Sequence, residues 1–203
     1  HPWYENNNEI GGIIIFSEII TKQVEASKRI ESQIQRVKAL QTIDMAIANS
    51  LDLHLTLQVV VETATLQLKV DAVAVLLLNN ITKSLTFAAG YGFRSQDIAK
   101  KSLQLGEGYA GYAALERQMV HIPDFSQAKD SFVRYSLIEN EGFIEYYGIP
   151  LIVKGEIKGV LEVFHRSKIN PDSDWLTFFE TLAGQAAIAI NGAQVFTDLQ
   201  RSN

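Results

Sequence analysis

The sequence predicts an α+β fold with a central antiparallel sheet. Amphipathic helical patterns occupy both ends of the chain, at residues 21–49 and from about residue 173 onward. Residues 71–78, DAVAVLLL, are an almost uninterrupted apolar run, which is typical of a strand buried on both faces. Two further apolar runs, residues 143–153 and 157–165, flank a tight Lys-Gly-Glu turn, so we expect them to pair as an antiparallel hairpin.

The length, charge and cysteine content of the chain exclude several classes of function. The chain has 203 residues, of which 47% are hydrophobic, which suits one domain plus an appendage. A net charge of -5 without a Lys or Arg block disfavours nucleic acid and anionic membranes as partners. The absence of cysteine excludes thiolate metal sites, cysteine nucleophiles and thioether-linked chromophores. We expect a soluble, cytoplasmic protein.

The first helix carries two apolar stripes in different phase. A heptad-like seam occupies the first part, at Ser27, Ile30, Ile34 and Val37. Leu40, Ile43 and Ile47 then start a second stripe, which indicates a change of partner near residue 38. We expect residues 21–45 to form a signalling or coiled-coil helix that pairs with a second subunit through Ile30, Ile34 and Val37. A single helix with one broad core face fits the pattern equally well.

The middle of the chain supplies shorter elements. After a break capped by Ser50 or Asp52, residues 53–69 read as a second amphipathic helix. Residues 84–92 return from the 71–78 strand through an Asn-Asn turn. We further expect a short helix within 94–104, a glycine-rich turn and helix at 105–115, a strand at 119–122 and a polar connection from 123 to 142. Residues 170–174, Asn-Pro-Asp-Ser-Asp, start the terminal helix with a capping residue and acidic groups in its first turn.

Four motifs resemble the GAF domain family. They are LGEGYAGYAA from residue 105, VHIPD from 120, YGIPLIVKGEIKGVLEV from 147 and LAGQAAIAI from 182. The resemblance covers about residues 40–200. It implies a GAF fold, in which the N- and C-terminal helices pack on one face of the antiparallel sheet and short helices and loops cover the other.

GAF domains bind small molecules between the sheet and its covering loops. The resemblance therefore implies a pocket lined by Phe87, Tyr91, Phe93, Tyr109, Tyr112, His121, Phe143, Tyr146, Tyr147 and Glu162. The same aromatic residues fit a packed core at least as well. His121 alternates with apolar neighbours, which favours a hydrogen-bonded structural histidine, and the acids Asp124, Asp130 and Glu139 fit a solvated loop.

The sequence lacks most of the residues that known GAF domains use for cofactor attachment, catalysis or cyclic-nucleotide binding. Bilin-binding members attach their chromophore through cysteine, and members that reduce free methionine sulfoxide also depend on cysteine, which this chain lacks. The stretch that corresponds to the cyclic-nucleotide pattern keeps only one acid, Asp174. The four histidines show no metal spacing. We expect no catalytic residues, no metal and no cofactor, although an unidentified small ligand stays open.

The N-terminal run has a separate resemblance. Residues 10–20 are about half the length of a membrane span and contain Glu18, so we expect neither an anchor nor a signal peptide. Residues 1–20 resemble the last hairpin of a PAS domain leading into its exit helix, with Ile19 in place of the usual Asp. The resemblance implies a fragment of a larger sensor. The arrangement also resembles the GAF segments that precede HD-GYP phosphodiesterase domains.

Two functions are consistent with these observations. The first is a bacterial regulatory module that forms a homodimer through its terminal helices and relays a signal between the other domains of its polypeptide. The second is a receptor domain whose pocket binds a specific effector. The N-terminal strand should pair with another copy, pack on a neighbour or move freely, because its edge is apolar.

Overall fold

The computed structural model describes residues 2–4, 10–13, 17–49, 52–128 and 131–201. Backbone contacts divide the chain into two units, His1–Lys38 and Ala39–Asn203. The expectations placed on residues 5–9 and 14–16, and the one for Asp130, lie outside the described residues. No described helix is both long enough and apolar enough to span a membrane.

The first unit contains a small hairpin and most of a long helix. Strand β1 (Pro2–Tyr4) pairs antiparallel with β2 (Ile10–Ile13), with a register shift after Trp3. Helix α1 (Ser17–Asn49) begins four residues earlier than the pattern predicts and runs without interruption into the second unit. One edge of β2 is therefore paired within the chain, while the PAS assignment stays a prediction.

The second unit alternates long helices with a sheet and short connecting elements. Its longer elements are α2 (Leu53–Leu68), β3 (Ala72–Asn79), β4 (Ser84–Tyr91), α3 (Gly108–Glu116), β7 (Glu145–Val153), β8 (Glu156–His165) and α5 (Ser173–Arg201). Its short elements are β5 (Leu103–Gln104), β6 (Val120–Ile122) and α4 (Tyr135–Ile138), with 3-10 turns at Asp97–Lys100, Phe125–Gln127 and Glu139–Glu141.

The sheet has six strands in the order β5-β4-β3-β8-β7-β6, and every neighbouring pair is antiparallel. The apolar strand β3 lies inside the sheet between β4 and β8, as its continuous run predicts. The predicted α+β class with a central antiparallel sheet is confirmed. Only Ser84 and Leu85 of β4 pair with the short β5, so the rest of that edge has no strand beside it among the described residues.

One face of the sheet is covered by helices. Ala39 and Ile43 of α1 are buried there with the apolar sides of α2 and α5, which shows why the stripe shifts phase near residue 38. Asp52 caps α2 by accepting from the His54 N–H at 2.9 Å. The Trp175 indole N–H donates to the Leu68 carbonyl at 3.0 Å, which joins the start of α5 to the end of α2.

The other face is covered by the connecting segments. The short helix expected in residues 94–104 is limited to the 3-10 turn Asp97–Lys100, and β5 follows it. The polar connection from 123 to 142 buries Phe125, Phe132 and Ile138 against the sheet, which its polar composition did not indicate. Its acid Glu139, expected to be solvated, is exposed. Below, the two faces are called the helix side and the loop side.

Candidate ligand-binding site

The loop side has an interior filled with aromatic rings. Tyr146 of β7 and Phe164 of β8 lie side by side, with ring centroids 5.2 Å apart. Phe132 packs edge-on against Tyr146 at 5.6 Å and against Phe125 at 5.0 Å. All four side chains are 3% exposed or less. The space between the sheet and its covering segments is therefore occupied by protein rather than open.

A buried ion pair lies within these rings. The Arg134 guanidinium, on the covering segment, contacts the Glu162 carboxylate of β8 through one nitrogen, and the Tyr146 hydroxyl donates to the same carboxylate oxygen at 3.0 Å. Arg134 is 1% and Glu162 0% exposed. Burial, and then the negative charge of Glu162, hold the pKa of Tyr146 well above its usual value.

The ion pair is incompletely satisfied. Two guanidinium nitrogens of Arg134, Nε and Nη1, and the second oxygen of Glu162 make no hydrogen bond to the described protein. The recess beside Arg134, lined by Tyr109 of α3 and Phe132, has no room for a water molecule. Unpaired polar atoms at this depth cost free energy, so removing either partner of the pair should strongly destabilise the domain.

A second polar cluster lies on the helix side. The Glu145 carboxylate accepts from the Tyr147 hydroxyl at 3.0 Å and from the Ile169 N–H, and it lies 2.7 Å from His121 Nε2. The His121 ring stacks on Tyr147, with centroids 4.1 Å apart. Burial and the Glu145 carboxylate raise the pKa of Tyr147. His121 is thus hydrogen-bonded by a buried acid, as expected of a structural histidine.

A third cluster fastens the loops at one end of the sheet. Arg166, just after β8, binds the buried Glu141 carboxylate at 2.9 Å and Asp71 at 3.3 Å. Glu141 also accepts from the backbone N–H groups of Arg94 at 2.9 Å and Ser95 at 3.0 Å. His165 Nδ1 lies 2.6 Å from Asp71, without the alignment of a hydrogen bond. This cluster joins the segments after β4, before β7 and after β8.

Open space lies at the uncovered edge of β4. A cleft of about 600 Å³ is bounded by α2, by the end of β4 and by the segment that follows it. Aromatic side chains of Phe87, Tyr91 and Phe93 line it together with His54 and Gln58 of α2. Its size falls in the range of about 300–1,000 Å³ that is common for small-molecule sites.

Comparison with known proteins identifies the family. A family model of the GAF domain matches residues 52–190 of the chain. The chain belongs to the GAF domain family. Among curated protein sequences, no significant match is found.

Several solved structures share the fold at low sequence identity. The GAF domain of a phosphoenolpyruvate-protein phosphotransferase from Coxiella burnetii is 22% identical, with a TM-score of 0.71 over 81% of this chain and 98% of that one. A methyl-accepting chemotaxis protein is 25% identical, with a TM-score of 0.65 over 76% of this chain and 98% of that one. Free methionine-R-sulfoxide reductase from Neisseria meningitidis, in complex with its substrate, is 17% identical, with a TM-score of 0.65 over 81% of this chain and 92% of that one.

The sheet of this GAF domain separates the ten residues that the sequence assigns to a pocket. On the loop side lie Phe87, Phe93, Tyr109, Phe143, Tyr146 and Glu162. Tyr147 lies on the helix side against Trp175, with centroids 5.2 Å apart. His121, Tyr91 and Tyr112 are 41%, 43% and 51% exposed. The structure thus brings six of them together, and ligand binding by any of the ten stays a prediction.

Several buried polar residues of this GAF domain could not be identified from the sequence. Arg134, Glu141 and Glu145 are buried partners in the three clusters, yet each occurs in a stretch that contains other polar residues. Glu162 was easier to find, because an acid in the apolar run LEVF needs a buried partner. No group of three His, Asp or Glu residues in the described part of the chain could hold a metal ion.

Proposed function

We propose that this GAF domain is a cytoplasmic sensory and regulatory module that dimerises through α1 and α5 and relays a signal. Similar structures include the GAF domain of a phosphoenolpyruvate-protein phosphotransferase and residues 122–287 of a methyl-accepting chemotaxis protein, and the chemotaxis protein supports a sensory role. One similar structure is a reductase, but this chain has no cysteine to carry a thiol reaction. A catalytic role is therefore disfavoured.

The main support for a dimer is the exposed apolar seam of α1. Ile30, Ile34 and Val37 are 57%, 47% and 54% exposed, although each is a large aliphatic side chain. Their spacing of four and three residues places them on one stripe of the helix, as in a coiled coil. Three such side chains in one line would lose contact with water if the same helix of a second copy covered them.

Helix α5 has an apolar stripe of its own. Ile188, Val195 and Leu199 are 50%, 50% and 61% exposed and lie seven and four residues apart. Gly184 and Gly192 are on the same side, and a Cβ added to either would meet no atom within 4 Å. A glycine inside a helix costs about 0.5–1 kcal/mol relative to alanine, so two without a packing reason favour the close approach of another helix.

We further propose that α1 and α5 connect this module to other domains of one polypeptide. The N-terminal hairpin would then be the end of a PAS domain, and α5 would continue into an output domain such as an HD-GYP phosphodiesterase. A signal would pass as a change in the packing or register of the paired helices, which is a two-state element that either neighbour can bias.

Sedimentation equilibrium tests the dimer. The unaltered chain should sediment as a dimer, and Ile34→Glu should sediment as a monomer because a charge enters the seam. Ser32→Glu is the matched control, since it adds the same charge on the opposite side of α1 and should leave the dimer intact. A monomer at high concentration of the unaltered chain, or a dimer of Ile34→Glu, would contradict the proposal.

A receptor for a small molecule is the second candidate function. The cleft of about 600 Å³ at the β4 edge favours it, because large open spaces lined by aromatic and neutral polar groups are the usual form of ligand sites. Native mass spectrometry of freshly purified protein should then detect a bound compound. A measured mass equal to that of the protein alone, together with no hit in a thermal-shift screen, would count against this function.

A further inference from the structure

The cleft at the β4 edge is neutral. Among the described residues that line it, none is Asp, Glu, Lys or Arg. Moving a formal charge out of water without an opposite charge nearby is strongly unfavourable. The cleft therefore offers no counter-charge to an ionic compound, unlike the loop-side interior, where Arg134 and Glu162 meet.

One wall of the cleft offers hydrogen-bond acceptors. His54 and Gln58 lie four residues apart on α2, so their side chains share one side of the helix. His54 Nδ1 lies 3.1 Å from the Ala88 carbonyl, which can only accept, so Nδ1 is the donor of this bond and the acceptor nitrogen of that tautomer is Nε2. Gln58 donates one amide N–H to Glu62 at 2.9 Å, so its carbonyl oxygen can accept a hydrogen bond and its second N–H can donate one.

Another wall consists of aromatic rings that the core holds in place. A Cβ added to Gly90 would lie 2.7 Å from Cζ of Phe87 and 3.3 Å from Cε2 of Phe93, so both rings lie over the strand at this glycine. Phe93 is also packed edge-on against Phe164, with centroids 5.4 Å apart. Tyr91, at 43% exposure, is the outermost ring of the cleft. These rings can pack against a planar ligand with little loss of their own freedom.

We propose that the cleft binds a neutral, planar heteroaromatic compound that carries N–H donors. The rings supply stacking and edge contacts, His54 and Gln58 accept the donors, and no charged side chain of the lining offsets the desolvation of an ionic ligand. This inference rests on the receptor candidate above and names its ligand class. Because the cleft reaches α2, which packs against α5 in the core, a bound ligand would contact the helical layer directly.

Saturation-transfer difference NMR on the full chain tests the inference with three probes at millimolar concentration. Adenine is neutral and planar and carries N–H donors, N6,N6-dimethyladenine keeps the same ring system but has methyl groups in place of the two amino hydrogens, and benzoate is planar but charged. Adenine should bind, dimethyladenine should bind several-fold more weakly, and benzoate should not bind. No binding of adenine, or equal binding of the three probes, would overturn the inference.

Variants locate the binding. Tyr91→Ala should weaken adenine binding by about 2- to 10-fold, and Gln58→Leu by at least about fivefold. Tyr112→Ala is the matched control, because Tyr112 is an exposed tyrosine, at 51%, outside the cleft. Unchanged urea midpoints would show that the variants are folded. Equal affinity in all three variants would overturn the inference, whereas sedimentation of the same samples decides the dimer separately.

Discussion

Replacing Arg134 with methionine should destabilise the domain by about 3–5 kcal/mol. The variant keeps most of the side-chain volume but leaves the Glu162 carboxylate, at 0% exposure, without its cationic partner. Of the contacts that carboxylate has in the structure, only the Tyr146 hydroxyl at 3.0 Å would then remain. One hydroxyl donor cannot replace the solvation of a carboxylate, so the cost is that of an uncompensated buried charge.

The magnitude is large compared with the stability of a domain, which is usually about 5–15 kcal/mol. An exposed ion pair is the appropriate control. Asp97 and Lys100 form one with side chains 45% and 71% exposed, and solvent screens pairs of this kind so that they contribute little to stability. Lys100→Met should therefore leave the urea midpoint nearly unchanged.

Urea unfolding, followed by far-UV circular dichroism, measures these differences. The double variant Arg134→Met with Glu162→Gln removes both charges and keeps an acceptor for Tyr146. It should be more stable than either single variant, because no buried charge is left unpaired. Additive effects of the two substitutions, or a cost of Arg134→Met no greater than that of Lys100→Met, would refute the reasoning.

Two other predictions concern the helix side and the tyrosines. Trp175→Phe removes the donor to the Leu68 carbonyl and should cost about 1–3 kcal/mol in urea unfolding, whereas an unchanged midpoint would contradict this role. Burial raises the pKa values of Tyr146 and Tyr147 above the ordinary 10.0, and the nearby carboxylates raise them further. Their contribution to stability is thus complete below pH 10.0 and is lost as the pH rises above it. In an alkaline absorbance titration, these two should ionise only on unfolding; early ionisation of all seven tyrosines would be inconsistent with this.

The sheet and the long helices could be predicted from local sequence. The apolar run of β3, the turn between β7 and β8 and the phase shift in α1 are periodic signals, and each corresponds to an element or boundary of the structure. Asp52 was one of two candidate caps, and its carboxylate indeed accepts from the first turn of α2. Such features depend on neighbours close in sequence, which a pattern can show.

The polar clusters depend on residues far apart in sequence. Arg134 reaches Glu162 across 28 positions, and Arg94 N–H reaches Glu141 across 47. Periodicity carries no information about such pairs, so the sequence does not reveal that Arg134 and Glu141 are buried. The cleft is a similar case, because it forms only where the short β5 leaves the edge of β4 uncovered.

Cysteine cross-linking tests the central claim, that α1 pairs with its own copy along Ile30, Ile34 and Val37. The chain has no cysteine, so a single introduced thiol has no background. Ile34→Cys should form a disulfide-linked dimer under mild oxidation, because seam positions of a parallel pair lie within reach of a disulfide. Ser32→Cys, on the opposite side of the helix, should not. Equal cross-linking of the two variants, or none in Ile34→Cys, would contradict the account.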